Sequence, residues 1–382
     1  MTAHALLSAS GSKRWLSCTP SARLEATLPE PKRSTSGIDF SAEGTLAHAL
    51  AEIRLRLHYG QIGYEEYERE YEIIKIHPIY KNYKKEERED FETNVDNYVL
   101  YVRSQIGDGD TPLFEQRVDF SDWIPDGFGT ADVVILSKSA IRVIDLKFGR
   151  GVPVHAQDNT QLRLYALGAY SKFKEEYPDI KEVSYTIHQP RLDSISTDGT
   201  TISKLVDWAN YFVKPKAKKA WSGAGEFLPG EWCQFCKAKA QCRARSDFNT
   251  EIARLEFKAP GLLSEEEVSE VLVKSGQLRT WANDVEEYAL TRAVDRGVVP
   301  PGYKLSTTTT HRKISDSALA ATVLVEKGMS PEIIWEPAKL KSLASLEKIN
   351  KQVAAWLGEL VLRPEGQPKL VKTKEDAKED FA

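Results

Sequence analysis

The sequence lacks the features that mark several large classes of protein. Its 382 residues contain no apolar run approaching the roughly 18 residues of a membrane helix, so we expect no membrane partner. The first residues, MTAHALLSAS, show no charged region followed by an apolar core, as a secretory signal would. No G-x-x-x-x-G-K-[ST] loop is present, so we expect no ATP motor in this chain. These absences favour a cytoplasmic protein.

Excess charge is also scarce, but it is unevenly distributed. The formal net charge of −4 argues against a protein that coats nucleic acid without selectivity. Between Lys204 and Arg245, however, nine basic residues accompany only three acidic ones. Such a stretch either holds a polyanion locally or is a solvated, lysine-rich helix face, and both interpretations stay open at this point.

The spacing of apolar residues predicts helices around a small sheet. Helices are expected at 43–59, from Phe91 to about Ile106, at 158–171, at 201–221 and from Ser264 to about Arg296. Short segments rich in β-branched residues predict strands at 113–120, 129–136, 141–147 and 183–188. This alternation is typical of an α/β or α+β core.

Two aspartates are predicted to meet at the end of a hairpin. A turn centred between Lys138 and Ser139 places Asp132 opposite Asp145. Facing like charges destabilise a sheet, and a divalent cation held by both carboxylates would offset the repulsion. The alternative is two acids splayed into water at a strand end. Lys147 shares a face with Asp145, because side chains alternate along a strand.

Other polar residues accompany this pair. Glu115 lies on the preceding strand, His48 lies within the first long helix, and Gln161 and Tyr165 share one helix face because they are four residues apart. Each of them alone is more often an ordinary structural residue than a ligand. Their order and spacing together favour a functional site.

Taken in order, these residues resemble the PD-(D/E)-x-K nucleases, specifically the RecB-like nuclease domain. The matching segments are Gly44 to His48 for the family's G-x-x-x-H helix, Gly129 to Asp132 for its G-x-x-D strand, Asp145 to Lys147 for its D-x-K strand, and Gln161 to Tyr165 for its Q-x-x-x-Y helix. The resemblance implies a restriction-endonuclease-like α/β core, a small mixed sheet flanked by helices.

The resemblance also implies roles for these residues. Mg²⁺ or Mn²⁺ would be bound by His48, Asp132, Asp145 and the carbonyl of Leu146. Glu115 would assist through water or a second ion, and Lys147 would orient the attacking water or neutralise developing charge. Gln161 and Tyr165 would hold the substrate strand.

Four cysteines form a split set, Cys18 and then Cys233, Cys236 and Cys242. In a cytoplasmic protein this favours metal binding over disulfides, and the spacing alone suits zinc as well as iron. The set resembles that of the iron-sulfur branch of the RecB-like nucleases, which includes the AddB nuclease domain and the CRISPR-adaptation nucleases. That resemblance implies a 4Fe-4S cluster joining the two ends of the domain, with a structural zinc or free thiols as alternatives.

Over its full length the chain is similar to a family of bacteriophage and prophage proteins, which implies a setting in phage replication or recombination, in the host cytoplasm. We expect a nuclease domain at 1–248, a mainly helical region at 249–365 and a disordered tail at 366–382. The expected activity is that of a metal-dependent DNA nuclease, specifically an exonuclease acting on DNA with a single-stranded end. A non-cleaving module that grips DNA ends and an RNA nuclease are the open alternatives.

Overall fold

The computed structural model describes residues 5–29, 40–151, 153–255 and 265–305. Predictions for the tail at 366–382 and for most of the region at 249–365 lie outside the described residues. Met1–Leu305 form one compact unit, an α/β structure built on a five-stranded mixed sheet with helices on both faces. No helix of the described ranges combines the length and the apolar composition needed to cross a bilayer.

The strands and helices follow the predicted order. The strands are β1 Thr111–Asp119, β2 Phe128–Leu136, β3 Ala140–Leu146, β4 Glu182–Gln189 and β5 Ser194–Thr201. The helices are α1 Ser12–Ser17, α2 Ser21–Ala26, α3 Phe40–His58, α4 Tyr64–Ile76, α5 Pro78–Asn82, α6 Lys85–Ser104, α7 Thr160–Phe173, α8 Ile202–Trp208, α9 Lys214–Ser222, α10 Arg243–Leu255 and α11 Glu265–Arg296. Short 3₁₀ turns occur at Pro190–Leu192 and Glu231–Phe235.

The sheet has the strand order β1-β2-β3-β4-β5. β3 and β4 are parallel and the other neighbouring pairs are antiparallel. Parallel strands require a crossover connection, and α7 supplies it. The predicted register of the β2–β3 hairpin is confirmed, since Val133 pairs with Ile144. The next positions outward on the two strands are Asp132 and Asp145.

The two faces of the sheet bury separate hydrophobic clusters. Val134 and Val143 belong to a cluster with Leu164 of α7. Ile135 and Ile144 belong to the other cluster, with Leu50 of α3. Each fully buried aliphatic side chain of this kind contributes about 1.5–3 kcal/mol. The sheet is therefore fixed between α7 on one face and α3 and α6 on the other, and these helices also carry the candidate functional residues.

A long predicted helix at 201–221 is interrupted in the structure. α8 and α9 are joined by a π-helical turn, Ala209–Val213, so that the segment 202–222 continues as one rod with a local widening. Pro215 explains the widening, because it has no amide hydrogen to bond the carbonyl four residues earlier, that of Tyr211, and its ring would clash with that carbonyl. We call residues 202–222 the basic rod.

Candidate metal centre and its surroundings

Three metal-ligand side chains converge where β1, β2 and α3 meet. One donor atom from each of His48, Glu115 and Asp132 lies within 4.8 Å of the others. The three residues line an open cleft of about 310 Å³ together with Ser41, Gly44 and Thr45. Carboxylate oxygens suit Mg²⁺ and Mn²⁺, and an imidazole nitrogen suits softer divalent ions. The arrangement therefore fits a divalent cation, with Glu115 as a full member of the donor set.

Backbone features shape this cleft. Glu115 has φ 45°, in the left-handed region that few residues other than glycine adopt, which costs about 1–3 kcal/mol and persists only where the surrounding structure enforces it. A Cβ added at Gly44 would meet no other described atom within 4 Å. Gly44 thus borders the open cleft, and packing does not require glycine at this position.

The charges of the three donors are strongly coupled. Burial alone would lower the pKa of His48, but the charge and hydrogen bond of Asp132 outweigh it and raise that pKa to about 9. Burial opposes ionisation of Asp132, yet His48 lowers its pKa, and the two groups lie 3.2 Å apart from Nδ1 to Oδ1. Burial and then the charge of Asp132 raise the pKa of Glu115 to about 7. A metal ion bound here would displace protons from His48 and Glu115.

A second set of polar residues adjoins the first along β3 and α7. Lys147 Nζ lies 2.8 Å from Asp145 Oδ2 and donates to Gln161 Oε1 at 3.2 Å. Gln161 Nε2 in turn donates to Asp145 Oδ1 at 3.3 Å. Burial would lower the pKa of Lys147, but the charge of Asp145 outweighs it and raises that pKa. The result is a closed triangle that holds the charged ammonium of the partly exposed Lys147 against the buried Asp145.

Tyr165 completes this second set. Gln161 Nε2 donates to Tyr165 Oη at 3.1 Å. A Cβ at Gly129 would lie 2.7 Å from Cε1 of Tyr165, so the ring packs directly on the β2 backbone and only glycine fits there. This contact accounts for the glycine of the G-x-x-D segment. Burial raises the pKa of Tyr165, so the hydroxyl remains a neutral donor.

The predicted catalytic residues thus fall into two adjoining sets, which are His48, Glu115 and Asp132, and Asp145, Lys147, Gln161 and Tyr165. The two sets are joined through the backbone of β3. The amide of Leu146, the residue between Asp145 and Lys147, donates to Asp132 Oδ2 at 2.7 Å. Asp145 lies outside the three-donor group. Coordination of one ion by both Asp132 and Asp145 stays a prediction. Coordination of that ion by the Leu146 carbonyl also stays a prediction.

Sequence reasoning missed a buried ion pair beside the cleft. Arg191 donates to both carboxylate oxygens of Glu43 at 2.7 Å, and the two side chains are only 5% and 4% exposed. Tyr83 donates to the same carboxylate, and the Arg191 guanidinium lies 4.0 Å from the ring centre of Phe148. The pair fastens the start of α3 to the chain after β4. No local signal reveals it, because its partners are 148 residues apart.

The four cysteines line one small, largely enclosed cavity. Cys18 follows α1, and the other three lie in and after the 3₁₀ turn Glu231–Phe235. Within the described residues no three of their sulfurs lie within 4.8 Å of one another. Zn–S bonds of about 2.3 Å in a tetrahedron place sulfurs about 3.8 Å apart. The sulfurs therefore converge on a common cavity without forming a closed zinc tetrahedron.

Backbone amides face these sulfurs. Gly230 N donates to Cys233 Sγ at 3.4 Å, and the amides of Leu228 and Ala238 act likewise on Cys18 and Cys236. Such bonds are a common feature of iron-sulfur ligation. Burial, with the nearby Glu25 carboxylate, raises the pKa of Cys236 to about 12. This thiol is thus protonated at neutral pH unless a metal displaces the proton.

The predicted basic stretch divides into two parts. Lys239 and Arg245 both pair with Asp284 of α11, at 2.7 and 2.6 Å, and Arg245 and Asp284 are buried. The single carboxylate of Asp284 is therefore shared by two cations within the protein. The lysines of the basic rod instead lie on its outer side, fully or partly exposed. The exposed lysines of the stretch are therefore concentrated on the rod.

The fold and site define an α/β protein with a candidate divalent-metal centre at the end of its sheet. The chain belongs to the family described as "Protein of unknown function (DUF2800)", whose model matches residues 4–379. It is also similar to a solved structure titled "Crystal structure of SSO0001", with 14% identity and a TM-score of 0.23 over 59% of this chain and 95% of that chain. A TM-score of this size does not establish a shared fold.

Proposed function

We propose that the protein is a nuclease that uses Mg²⁺ or Mn²⁺ to hydrolyse phosphodiester bonds in DNA. One observation carries the proposal: the donors of His48, Glu115 and Asp132 lie within 4.8 Å of one another, beside the ion pair of the buried Asp145 and the partly exposed Lys147. Metal ligands next to a fixed cation are what hydrolysis of a phosphate diester requires, because negative charge develops on the phosphate in the transition state.

Each polar residue has a defined part in this proposal. When bound, the metal polarises the scissile phosphate and lowers the pKa of the attacking water. Lys147 neutralises developing charge, and its ammonium is held in place beforehand by Asp145 and Gln161. Tyr165, neutral and bonded to Gln161, donates to the substrate strand. The low exposure of Asp145, 2%, strengthens these electrostatic contacts.

The finer assignment rests on the sequence resemblance. The order of His48, Asp132, the Asp145–Lys147 pair and Gln161 to Tyr165 resembles the RecB-like PD-(D/E)-x-K nucleases. From that resemblance we propose an exonuclease that acts on DNA with a single-stranded end in phage replication or recombination. The mixed sheet with a parallel β3–β4 pair and its α7 crossover agrees with the small mixed sheet expected for a restriction-endonuclease-like core.

We further propose that the four cysteines hold a 4Fe-4S cluster. Their common cavity and the amides directed at their sulfurs fit this group. In a cluster each cysteine sulfur binds a different iron, so the ligands lie farther apart than around one zinc ion. The cluster would fasten α1 and α2 to the segment around the turn Glu231–Phe235.

The decisive experiment offers end-labelled DNA to protein purified without oxygen, with Mg²⁺ or Mn²⁺. We expect shortened products from DNA and a rate at least about 100-fold lower for Lys147→Ala and for Asp132→Ala, since each removes a group that meets transition-state charge or the metal. Lys138→Ala, an exposed lysine in the β2–β3 turn, is the matched control and should cleave normally.

Three results would contradict the proposal. Binding of DNA ends without cleavage at any metal concentration would indicate a non-cleaving module. Preferential cleavage of RNA would indicate a ribonuclease. Equal cleavage rates for wild type and Lys147→Ala would contradict the role assigned to the ion pair. A wild-type melting temperature establishes that the variant is folded.

A further inference from the structure

The basic rod has a buried inner side and an exposed outer side. Its inward side is buried in the core and consists of Ile202, Leu205, Ala209, Val213, Ala217 and Ala220. Its outward side carries two exposed aromatic rings and five lysines, which are Tyr211, Phe212, Lys204, Lys214, Lys216, Lys218 and Lys219, while Trp208 is partly buried against the core. Asp207 is the single acidic residue of the segment. The outer surface is thus both strongly cationic and aromatic.

The rings and cations form an ordered row. Trp208 and Phe212 are stacked, with ring centres 6.4 Å apart and planes inclined by 21°. Lys216 Nζ lies 4.3 Å from the centre of Phe212, and Arg163 of α7 lies 5.6 Å from that of Trp208. Tyr211 is 82% exposed. One exposed aromatic ring needs no explanation, but a row of rings bordered by lysines does.

The π-helical turn determines which of these side chains face outward. Ala209 and Val213, at its two ends, are both buried, while Tyr211 and Phe212 between them face outward. Pro215 prevents a regular α-helix at this point, as described above. π turns occur frequently at functional sites, because the additional residue redirects side chains.

The rod is held at its middle and at its end. In the π-helical turn, Trp123 Nε1 donates to Asn210 Oδ1 at 3.0 Å. At its end, Arg23 of α2 donates to the carbonyl of Trp221 at 2.5 Å and lies 5.0 Å from the Trp221 ring. A surface fixed in advance loses little conformational entropy when a ligand binds. The rod also contacts α7, the helix that carries Gln161 and Tyr165.

We infer that the outer face of the basic rod binds single-stranded DNA, with an unpaired base stacked on Tyr211 and phosphates contacted by the lysines. The choice of DNA rests on the proposed function. The choice of a single strand rests on the exposed rings, because base faces are free for stacking only where the strand is unpaired. A membrane-surface helix would need an outward apolar stripe, and the apolar stripe of the rod is buried in the core.

The test measures binding of fluorescein-labelled oligothymidine by anisotropy, with the full chain in EDTA so that no cleavage occurs. Tyr211→Ala should weaken binding about 10-fold, whereas Tyr211→Phe, which keeps the ring, should bind as wild type does. Tyr64→Ala is the matched control, since Tyr64 is a 68% exposed tyrosine on the acidic helix α4. Circular dichroism and melting temperatures establish that each variant is folded.

The lysines are tested by salt dependence. Each phosphate contact to a single strand contributes a slope of about −0.7 in a plot of log affinity against log salt concentration. Lys218→Ala should reduce the slope by about that amount, and Lys138→Ala should leave it unchanged. Equal slopes for wild type and Lys218→Ala would contradict the phosphate contact.

The stacking inference is overturned if Tyr211→Ala binds oligothymidine like wild type, or if it loses single-stranded and duplex affinity equally. Tighter binding of RNA than of DNA of the same sequence would overturn the choice of DNA. Failure of the proposed function can be distinguished from failure of this inference. If only the proposed function fails, wild type binds oligothymidine through Tyr211 but does not cleave DNA. Failure of this inference alone would leave cleavage dependent on Lys147 and binding independent of Tyr211.

Discussion

The oxygen-rich centre, by which we mean His48, Glu115 and Asp132 with the adjoining Asp145 and Lys147, differs from the cysteine cavity in what holds it together. At the first, opposite charges already face one another, with His48 beside Asp132 and Lys147 beside Asp145. At the second, the thiols come from segments more than two hundred residues apart, and burial raises the pKa of Cys18, Cys233 and Cys236. Ion pairs hold the first centre together, whereas the second would be completed by the proposed cluster.

This difference predicts opposite effects of removing a ligand. Loss of a cysteine should cost stability, because the proposed cluster that connects the two ends of the domain would be lost. Loss of Glu115 from the oxygen-rich centre should not, because burial and the charge of Asp132 oppose its ionisation. Variants of these two sites test the comparison, and a variant of the Glu43–Arg191 pair beside the cleft gives the scale of a buried ion pair. They follow in decreasing order of expected effect.

Cys236→Ala should have the largest effect. If the four thiols hold a metal group, the variant should lose visible absorption and bound iron, and at least about 5 kcal/mol of unfolding free energy, or at least about 10 °C in melting temperature. Absorbance, iron analysis and thermal unfolding of anaerobically purified protein provide the measurement. Gln234→Ala, an exposed position between two of the cysteines, is the control. Zinc in place of iron, or an unchanged melting temperature, would refute the 4Fe-4S assignment.

Glu43→Gln should have the next largest effect. The substitution leaves Arg191 buried without its carboxylate and should lower the free energy of unfolding by about 3 kcal/mol in urea denaturation at pH 7. Burial opposes ionisation of Glu43, but Arg191 and Tyr83 together lower its pKa below the usual value. The stabilisation is therefore present above pH of about 4.3 and is lost as pH falls through the folded pKa.

The exposed Glu89→Gln serves as the control for that experiment, and its stability should match wild type. A difference between Glu43→Gln and wild type that stays constant down to pH 3 would show that the ionised carboxylate of Glu43 is not the source of the stability.

Glu115→Gln should have the smallest effect, of the opposite sign. The pKa of Glu115 is about 7 in the fold, above its usual value, so its ionisation opposes folding as pH rises from about 4.3 through 7. In EDTA at pH 8 the variant should be more stable by about 1–2 kcal/mol, and at pH 4 the difference should vanish. Urea denaturation at both pH values measures this. A less stable variant at pH 8 would mean that the carboxylate is not repelled by its neighbours.

Local patterns predicted the centre of the fold correctly. The hairpin register follows from the alternation of side chains and the position of the turn, so the pairing of Val133 with Ile144 could be derived from sequence. The positions of His48 and Gln161 relative to their helices follow from helical periodicity in the same way. These features depend on residues that are close in sequence.

Features that depend on distant partners were not predictable. β5, with the sequence SISTDGTT, has the composition of a loop and becomes a strand only through pairing with β4 at the sheet edge. α1 and α2, six residues each, are too short to show a period. The pairing of Glu43 with Arg191 and the neutralisation of Arg245 by Asp284 depend on tertiary contacts. The central place of Glu115 depends on its unusual backbone angle.

The split position of the cysteines has a consequence for biosynthesis. Cys18 leaves the ribosome early, while Cys242 is more than two hundred residues later in the chain. At about 5–20 residues per second, translation separates the two by roughly 10–45 seconds. Until that interval ends the full set of four thiols does not exist, so insertion of the proposed cluster would follow synthesis of almost two thirds of the polypeptide, and nascent chains that terminate earlier would not receive it.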